Sequence, residues 1–213
     1  MPVFESSASP SAGELLGLIL GSSFAAGLNL YATVLIAGLA QLAGWTVLPG
    51  GLAILAHPVV LGTAGVLFLV EFLADKVPFV DNAWDAVHTF IRPTAAAAIA
   101  IGALGGAPDS WKVGAALLAG TVALTSHGAK ASTRAAANAS PEPFSNWLLS
   151  LGEDVLAGGL TWLATTHPYW ASAIVGVLLV VAIVLVRAII RLAKKWLIDP
   201  FVDDQADPGA PAA

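Results

Sequence analysis

Two adjacent acids, Glu153 and Asp154, lie within an apolar stretch that covers roughly residues 146–166. At 1.5 Å per helical residue they lie roughly 10–12 Å from its start, and their side chains are too short to reach the membrane surface. A charged group in the membrane costs at least about 2.5–3.5 kcal/mol, so such residues are functional candidates. We predict that they couple protons or cations; the alternative is a structural ion pair with Lys130 or Arg134.

Glu71 and Asp75 form a second acidic pair, and Lys76 follows directly. Because the two acids are four residues apart, they share one face of a helix. Two carboxylates on one face can hold a hard cation or share a proton. Any metal site is therefore expected at these two residues. The alternative is an ion pair between Asp75 and Lys76 at the membrane surface.

Three basic side chains share one helix face at positions i, i+3 and i+7, namely His127, Lys130 and Arg134. Such a face can neutralise the anionic group of a substrate or of a lipid headgroup. The alternative is that these groups anchor the end of the helix at the cytoplasmic surface.

A polar stripe with positions i, i+4, i+7 and i+11 predicts an amphipathic helix. Its members are Asp81, Asp85, His88 and Arg92. We expect this helix to lie flat at the level of the lipid headgroups. The alternative is that the stripe lines a vestibule open to the cytoplasm.

Small residues recur every four positions near the amino terminus, which predicts a face for close helix packing. They are Gly13, Gly17, Gly21 and Ala25. The next member of this series is Asn29, which should therefore point into the protein. We expect its amide to link helices by hydrogen bonds; the alternative is that Asn29 and Tyr31 line a binding site.

The composition predicts a membrane protein. Hydrophobic residues make up 57% of the chain, charged residues only 11%, and the mean hydropathy is +0.82. A soluble domain carries about 25% charged residues. The apolar runs are long and lack the alternation of barrel strands, so the fold is predicted to be an all-α, polytopic transmembrane bundle. The absence of cysteine excludes disulfides and thiolate metal sites.

About six spans are predicted, because a helix needs about 20 apolar residues to cross a bilayer. They cover roughly residues 13–44, 52–72, 93–107, 111–129, 146–166 and 169–192. The first is long enough to break, His57-Pro58 favours a kink or start in the second, and the short third should continue the helix before it.

The predicted organisation has three parts: a cytoplasmic segment 1–12, a transmembrane domain 13–198 and a disordered acidic cytoplasmic tail 199–213. With both termini in the cytoplasm, Lys112 is the one basic residue on the outer side, as the positive-inside rule favours.

Two pairs of similar short sequence strings indicate an internal repeat, an arrangement typical of transporters. Gly62-Thr63, Phe79 and Trp84 match Gly120-Thr121, Phe144 and Trp147 in type and order, and Ser23-Phe-Ala-Ala26 matches Ser126-His-Gly-Ala129.

Several strings between residues 20 and 165 resemble a family of small bacterial membrane proteins known only as a domain of unknown function. These strings are Ala25-Ala-Gly-Leu-Asn-Leu-Tyr31, Lys76-Val-Pro-Phe-Val-Asp81, Arg92-Pro-Thr94, His127-Gly-Ala-Lys130 and Ser145-Asn-Trp-Leu-Leu-Ser-Leu-Gly-Glu-Asp154. The resemblance implies a bacterial inner-membrane protein and carries no established activity.

The segment from Glu71 to Lys76 is also similar to the Glu-x-Gly-Asp-Lys motif of a manganese and calcium exchanger family. It has one inserted residue, Ala74 in place of the glycine, and no second copy of the motif.

These features predict a small membrane transporter or channel for an ion or small polar solute, coupled to protons or cations through carboxylates in the membrane. The alternative is an intramembrane lipid-handling protein or a metal-dependent enzyme acting on a lipid phosphate, because Asp81 and Asp85 are spaced like aspartate pairs that hold Mg²⁺ against a diphosphate. A third interpretation is a scaffold protein that carries out no chemistry.

We predict no catalytic residue and no cofactor beyond an unidentified bound cation. The expected partners are the bilayer and a small solute or ion, with no nucleic acid; a homo-oligomer is compatible with the sequence.

Overall fold

The computed structural model describes residues 9–77, 79–138 and 143–197, and within these ranges every regular secondary-structure element is a helix. The helices are α1 (Ala12–Leu28), α2 (Leu30–Leu42), a 3₁₀-helix (Gly50–Ala56), α3 (Pro58–Ala74), α4 (Val80–Leu104), α5 (Asp109–Asn138), α6 (Pro143–Thr166) and α7 (Pro168–Leu197). The predicted all-α bundle is confirmed. The predicted tail 199–213 and most of the segment 1–12 lie outside the described residues.

The apolar helices indicate a membrane protein. Among the described residues, α4 and α7 are long and apolar enough to cross a membrane, and the 3₁₀-helix with α3 adds a third candidate that is bent by 67°. This bend lies at His57, which caps α3 just before Pro58, as the sequence predicts. α4 runs unbroken through Pro93, so the short third span continues the preceding helix. The prediction of six spans is not confirmed.

α1 and α2 form an antiparallel hairpin that enters the bundle and returns to the same end. Just before α1, Ser11 Oγ lies 3.0 Å from the hydroxyl of Tyr169. After α2, Thr46 Oγ1 donates to the carbonyl of Thr165 at 2.9 Å. Both contacts lie at the connection between α6 and α7, which we call the hairpin end of the bundle. At the turn between α1 and α2, Asn29 contacts Asp154 of α6, roughly 16 Å along α6 from Thr165.

The hairpin turns at Asn29, whose backbone is extended (φ −148°, ψ 103°). Its side-chain oxygen accepts from the Ala32 backbone N–H at 2.9 Å and so caps α2, as asparagine commonly does. The predicted small-residue face lets α1 pack closely against α6 and α7. A methyl group at Gly17 or Gly21 would overlap α6, α7 or the residues between them.

The described chain begins and ends at opposite ends of the bundle. α1 starts at the hairpin end, beside the start of α7. α7 then extends for 30 residues, roughly 45 Å, to an opposite end where Lys194 and Lys195 lie in its last turn. We call this the basic end. The hairpin does not cross the bundle, and the prediction that both termini lie in the cytoplasm is not confirmed.

The core differs between the two ends. The half nearer the hairpin end is filled by small and aliphatic side chains, among them Leu18, Ile19, Ala96, Ala100, Ala119 and Ala164.

The predicted internal repeat stays a prediction. Its segments 23–26 and 126–129 lie in contact, since Ser126 Oγ donates to the carbonyl of Phe24 at 3.0 Å.

Candidate functional site

The structure brings the candidate residues of five separate sequence segments into one cluster between the hairpin turn and the basic end. We call this cluster the charge network; its members are Asn29, Tyr31, Glu71, Asp75, Asp85, His88, Arg92, His127, Lys130, Arg134, Glu153 and Asp154. Except for Tyr31, Glu153 and Asp154, each is at most 3% exposed. The same-face spacings of the sequence explain how α3, α4 and α5 each contribute several members.

Glu71 is held by two cations from two helices. Arg92 Nη2 of α4 donates to Glu71 Oε1 at 2.5 Å, and Lys130 Nζ of α5 lies 3.3 Å from the same oxygen. Lys130 Nζ also donates to Asp75 Oδ2 at 3.0 Å. The two acids predicted to share a face therefore also share a basic partner.

Arg134 joins Asp75 to α6. Its Nη2 lies 2.9 Å from Asp75 Oδ2 and 2.5 Å from Glu153 Oε2, and its Nε donates to the same Glu153 oxygen at 3.1 Å. The alternative interpretation of Glu153, an ion pair with Arg134, is therefore present in the structure. The proposed pair of Asp75 with Lys76 is wrong, because Lys76 Nζ lies over the Phe72 ring and bonds the Phe72 carbonyl.

The network also holds the end of α1. Arg92 Nη1 donates to the Gly27 carbonyl and Lys130 Nζ to the Leu28 carbonyl, both at 2.9 Å. The last carbonyls of a helix have no partner within the helix and carry partial negative charge. The break at Asn29 thus supplies main-chain oxygens in the interior, and two buried cations bind them.

Two histidines connect the network to its surroundings. His127 Nδ1 lies 2.7 Å from Arg92 Nη1, which can only donate, so this nitrogen accepts and the ring proton lies on Nε2. Nε2 in turn donates to the Asp85 carbonyl at 3.0 Å. His88 lies 3.0 Å from the Tyr31 hydroxyl and stacks on Trp84. Asn29 and Tyr31 therefore both face the network.

The amphipathic stripe of α4 faces the protein interior. All four of its members are at most 3% exposed, so the prediction that this face lies on lipid headgroups is wrong. The reason is that the stripe has polar partners on other helices: Arg92 pairs with Glu71 of α3, His88 contacts Tyr31 of α2, and Asp81 accepts from Asn138 of α5. Pairing a buried charge is favoured over leaving it unpaired in the membrane.

Asp81 lies apart from the network, nearer the basic end. It accepts amide hydrogen bonds from Asn138 at 2.9 Å and from Asn146 at 3.1 Å. Sequence reasoning missed both asparagines as site residues. The available signal was that a buried acid without a basic neighbour needs neutral donors.

Acidic groups exceed basic groups in the network. It contains five carboxyl groups and three basic side chains, Arg92, Lys130 and Arg134. Five buried carboxyl oxygens have no hydrogen-bond partner: Glu71 Oε2, Asp75 Oδ1, Asp85 Oδ1 and Oδ2, and Asp154 Oδ2. Among the basic side chains of the described residues, Arg92 Nε is the one buried nitrogen without a hydrogen-bond partner. Asp85 Oδ1 has only a 3.5 Å ionic contact with Arg92. The network therefore has spare acceptors and few spare donors.

The described residues contain no group of three or more His, Asp or Glu side chains arranged for a metal ion. At Glu71 and Asp75, the oxygens that are bonded have basic side chains as partners.

Residues 16–188 match the family described as Domain of unknown function (DUF4126). The chain belongs to the DUF4126 family. The whole charge network lies within the DUF4126 segment, and the resemblance to an uncharacterised family is thereby confirmed. Neither the curated proteins nor the solved structures contain a match to the chain.

Proposed function

We propose that this protein is a transporter or channel for an ion or small polar solute, coupled to protons or cations through the charge network. The observation that carries this proposal is the excess of acidic over basic groups inside the bundle. A buried carboxylate without a partner is costly, and it lowers that cost by binding a proton or a cation. The network is therefore suited to take up positive charge and release it again.

The surroundings of the network favour access from the basic end. On that side the polar groups continue through Asp81, Asn138 and Asn146. On the other side, the apolar core and the α1–α2 hairpin separate the network from the hairpin end. Interrupted helices whose free carbonyls face a central site are typical of secondary transporters. Movement of the hairpin against α6 would open the second side.

We place the protein in a bacterial inner membrane with the basic end in the cytoplasm. The placement rests on the family resemblance and on the positive-inside rule, since Lys194 and Lys195 lie at the basic end and Lys112 near the start of α5. In this arrangement α3 to α7 cross the bilayer and the α1–α2 hairpin is re-entrant from the outer side.

The enzyme alternative has weaker support. A Mg²⁺ site at Asp81 and Asp85 would need the Asp81 oxygens, and these accept amide hydrogen bonds from Asn138 and Asn146. Asp85 alone keeps free oxygens.

The test is flux in sealed proteoliposomes that contain a pH-sensitive dye. After a pH gradient is imposed, Na⁺, K⁺, Mg²⁺ and inorganic phosphate are added separately, and the rate of dye response is measured. We expect a response to at least one of these solutes, reduced at least tenfold in Glu153→Gln and unchanged in Asp109→Asn. Asp109 is a matched control because its carboxyl group is exposed at the start of α5.

A folded protein that gives no response above empty vesicles with any of these solutes would contradict the proposal. The enzyme alternative predicts phosphate release from a lipid phosphate in detergent, without a sealed compartment, and is measured in parallel.

A further inference from the structure

Lys130 is enclosed by oxygen atoms. Its Nζ lies 2.9 Å from the Leu28 carbonyl, 3.0 Å from Asp75 Oδ2, 3.3 Å from Glu71 Oε1 and 3.7 Å from Glu153 Oε2. The side chain is fully buried. In secondary transporters, main-chain carbonyls at broken helix ends coordinate Na⁺, and here carboxylates add negative charge to the same set of oxygens.

We propose that these four oxygens form a monovalent-cation site, that the Lys130 ammonium occupies it in this state, and that K⁺ or Na⁺ replaces the ammonium during the transport cycle. This inference rests on the proposed transport function and names its coupling ion. In this proposal Lys130 does more than form a structural ion pair. Its ammonium group competes with the transported ion for the same oxygens.

The unpartnered oxygens are an independent sign of a ligand. Glu71 and Asp75 are both fully buried, and each has one carboxyl oxygen without a hydrogen-bond partner, although the other oxygen contacts Lys130. Three ammonium hydrogens cannot serve all of these acceptors. A spherical cation has no such limit and can bind both oxygens of a carboxylate.

The charges and distances favour a monovalent ion. Arg92 already pairs with Glu71 and Arg134 with Asp75, so most of the carboxylate charge around the site is neutralised. The distances of 2.9–3.3 Å from Nζ to the three nearest oxygens exceed the roughly 2.0–2.6 Å at which Mg²⁺ and Ca²⁺ bind oxygen; of the two monovalent ions, K⁺ matches them better because it is larger than Na⁺.

Asp85 offers a place for the displaced ammonium. Both of its oxygens lack hydrogen bonds, and its ionic contact with Arg92 is long, at 3.5 Å. When a cation enters the site, Lys130 moves to Asp85, and the network keeps its charges paired.

The experiment is cation rescue of a lysine-free site. Lys130→Ala is purified in detergent, and its Tm is measured in KCl, in NaCl and in choline chloride at equal ionic strength; choline is too large for the site. We expect K⁺ or Na⁺ at about 100 times its Kd to raise the Tm of Lys130→Ala by roughly 5–10 °C over choline. The wild-type protein should respond much less, because its lysine competes.

Lys112→Ala is the matched control, since Lys112 pairs with the exposed Asp109 outside the network. Its Tm should not distinguish K⁺ or Na⁺ from choline. If Lys130→Ala does not accumulate, Lys130→Gln leaves the same charge deficit with a longer side chain and is measured in the same way. Equal Tm values of the lysine variant in all three salts would overturn the proposal.

The outcome separates this inference from the proposed function. Cation rescue without flux in vesicles would leave a structural cation site and remove the transport proposal. Flux without rescue would leave the transport proposal and remove this site as its cation site.

Discussion

The side-chain amide of Asn29 donates a 2.8 Å hydrogen bond to Asp154 Oδ1 and so joins the turn of the α1–α2 hairpin to the middle of α6. The same side chain caps α2 through its oxygen. One asparagine thus ends one helix, starts the next and provides a partner for a membrane acid. Movement of the hairpin away from α6 would break this bond and leave Asp154 free to take up a proton or cation.

Asn29→Ala should strongly destabilise the protein. It removes a helix cap worth about 0.5–2 kcal/mol and a buried hydrogen bond to Asp154, whose loss costs about 1–3 kcal/mol. We expect the free energy of unfolding, measured in detergent by denaturant titration, to fall by about 2–4 kcal/mol. Ser22→Ala is the control, because the Ser22 hydroxyl is equally buried but bonds only to carbonyls of its own helix. Equal losses in the two variants would show that Asn29 has no special role.

Neutralising an acid of the charge network should be tolerated better than neutralising a base. Asp85→Asn removes a carboxylate whose oxygens have no hydrogen bonds, and we expect it to raise stability by about 1 kcal/mol. Arg92→Gln leaves Glu71 without its closest cation, and we expect a loss of about 3–5 kcal/mol. The two Tm values, compared with wild type, measure this asymmetry. A larger loss for Asp85→Asn than for Arg92→Gln would mean that the network has no excess acid.

Gly27→Ala should prevent the hairpin from packing against α5. A methyl group there would overlap Ser126 Oγ and the Ala123 carbonyl, and overpacking of this kind costs about 1–3 kcal/mol. Gly128→Ala is the control in the facing helix, since a methyl group at Gly128 meets no atom within 4 Å. There the better helix propensity of alanine should add about 0.5–1 kcal/mol. Thermal unfolding of both variants tests the contact; a tolerated Gly27→Ala would place the hairpin farther from α5.

The proposed re-entrant placement of the hairpin predicts the side of the membrane from which single cysteines react. The natural chain has no cysteine, so Ser11→Cys, Ser110→Cys and Ala136→Cys each carry one thiol, and all three positions are exposed. A membrane-impermeant maleimide should label residues 11 and 110 from one side of the membrane and residue 136 from the other. Labelling of residue 11 from the same side as residue 136 would instead support a hairpin that crosses the bilayer.

The members of the charge network could be predicted because charge is rare in an apolar chain. Each ionisable residue at membrane depth is costly, so Glu71, Lys130, Arg134 and Glu153 were identified from position alone. Helical spacing also placed Glu71 beside Asp75 and Lys130 beside Arg134. What the spacing could not supply was the register between helices, and with it the pairing of Arg92 with Glu71.

The path of the first segment could not be predicted from its composition. The apolar run of residues 13–44 suits a long tilted span as well as two half-length helices, since both bury the same surface. The turn is held by the hydrogen bond from Asn29 to Asp154, and these two residues are 125 positions apart in the sequence. The flat placement of the α4 stripe was wrong for a related reason, because an amphipathic face binds headgroups or a matching polar face equally well, and α5 supplied the latter.

The bonds from Arg92 and Lys130 to the last carbonyls of α1 also set an order on biogenesis. When α1 leaves the ribosome, the helix that will carry Lys130 has not yet been synthesised, and the oxygens of Gly27 and Leu28 have no cation to bind. Lipid offers them none. α1 can therefore complete these bonds only after α5 has been made, so its final packing cannot precede the synthesis of α5.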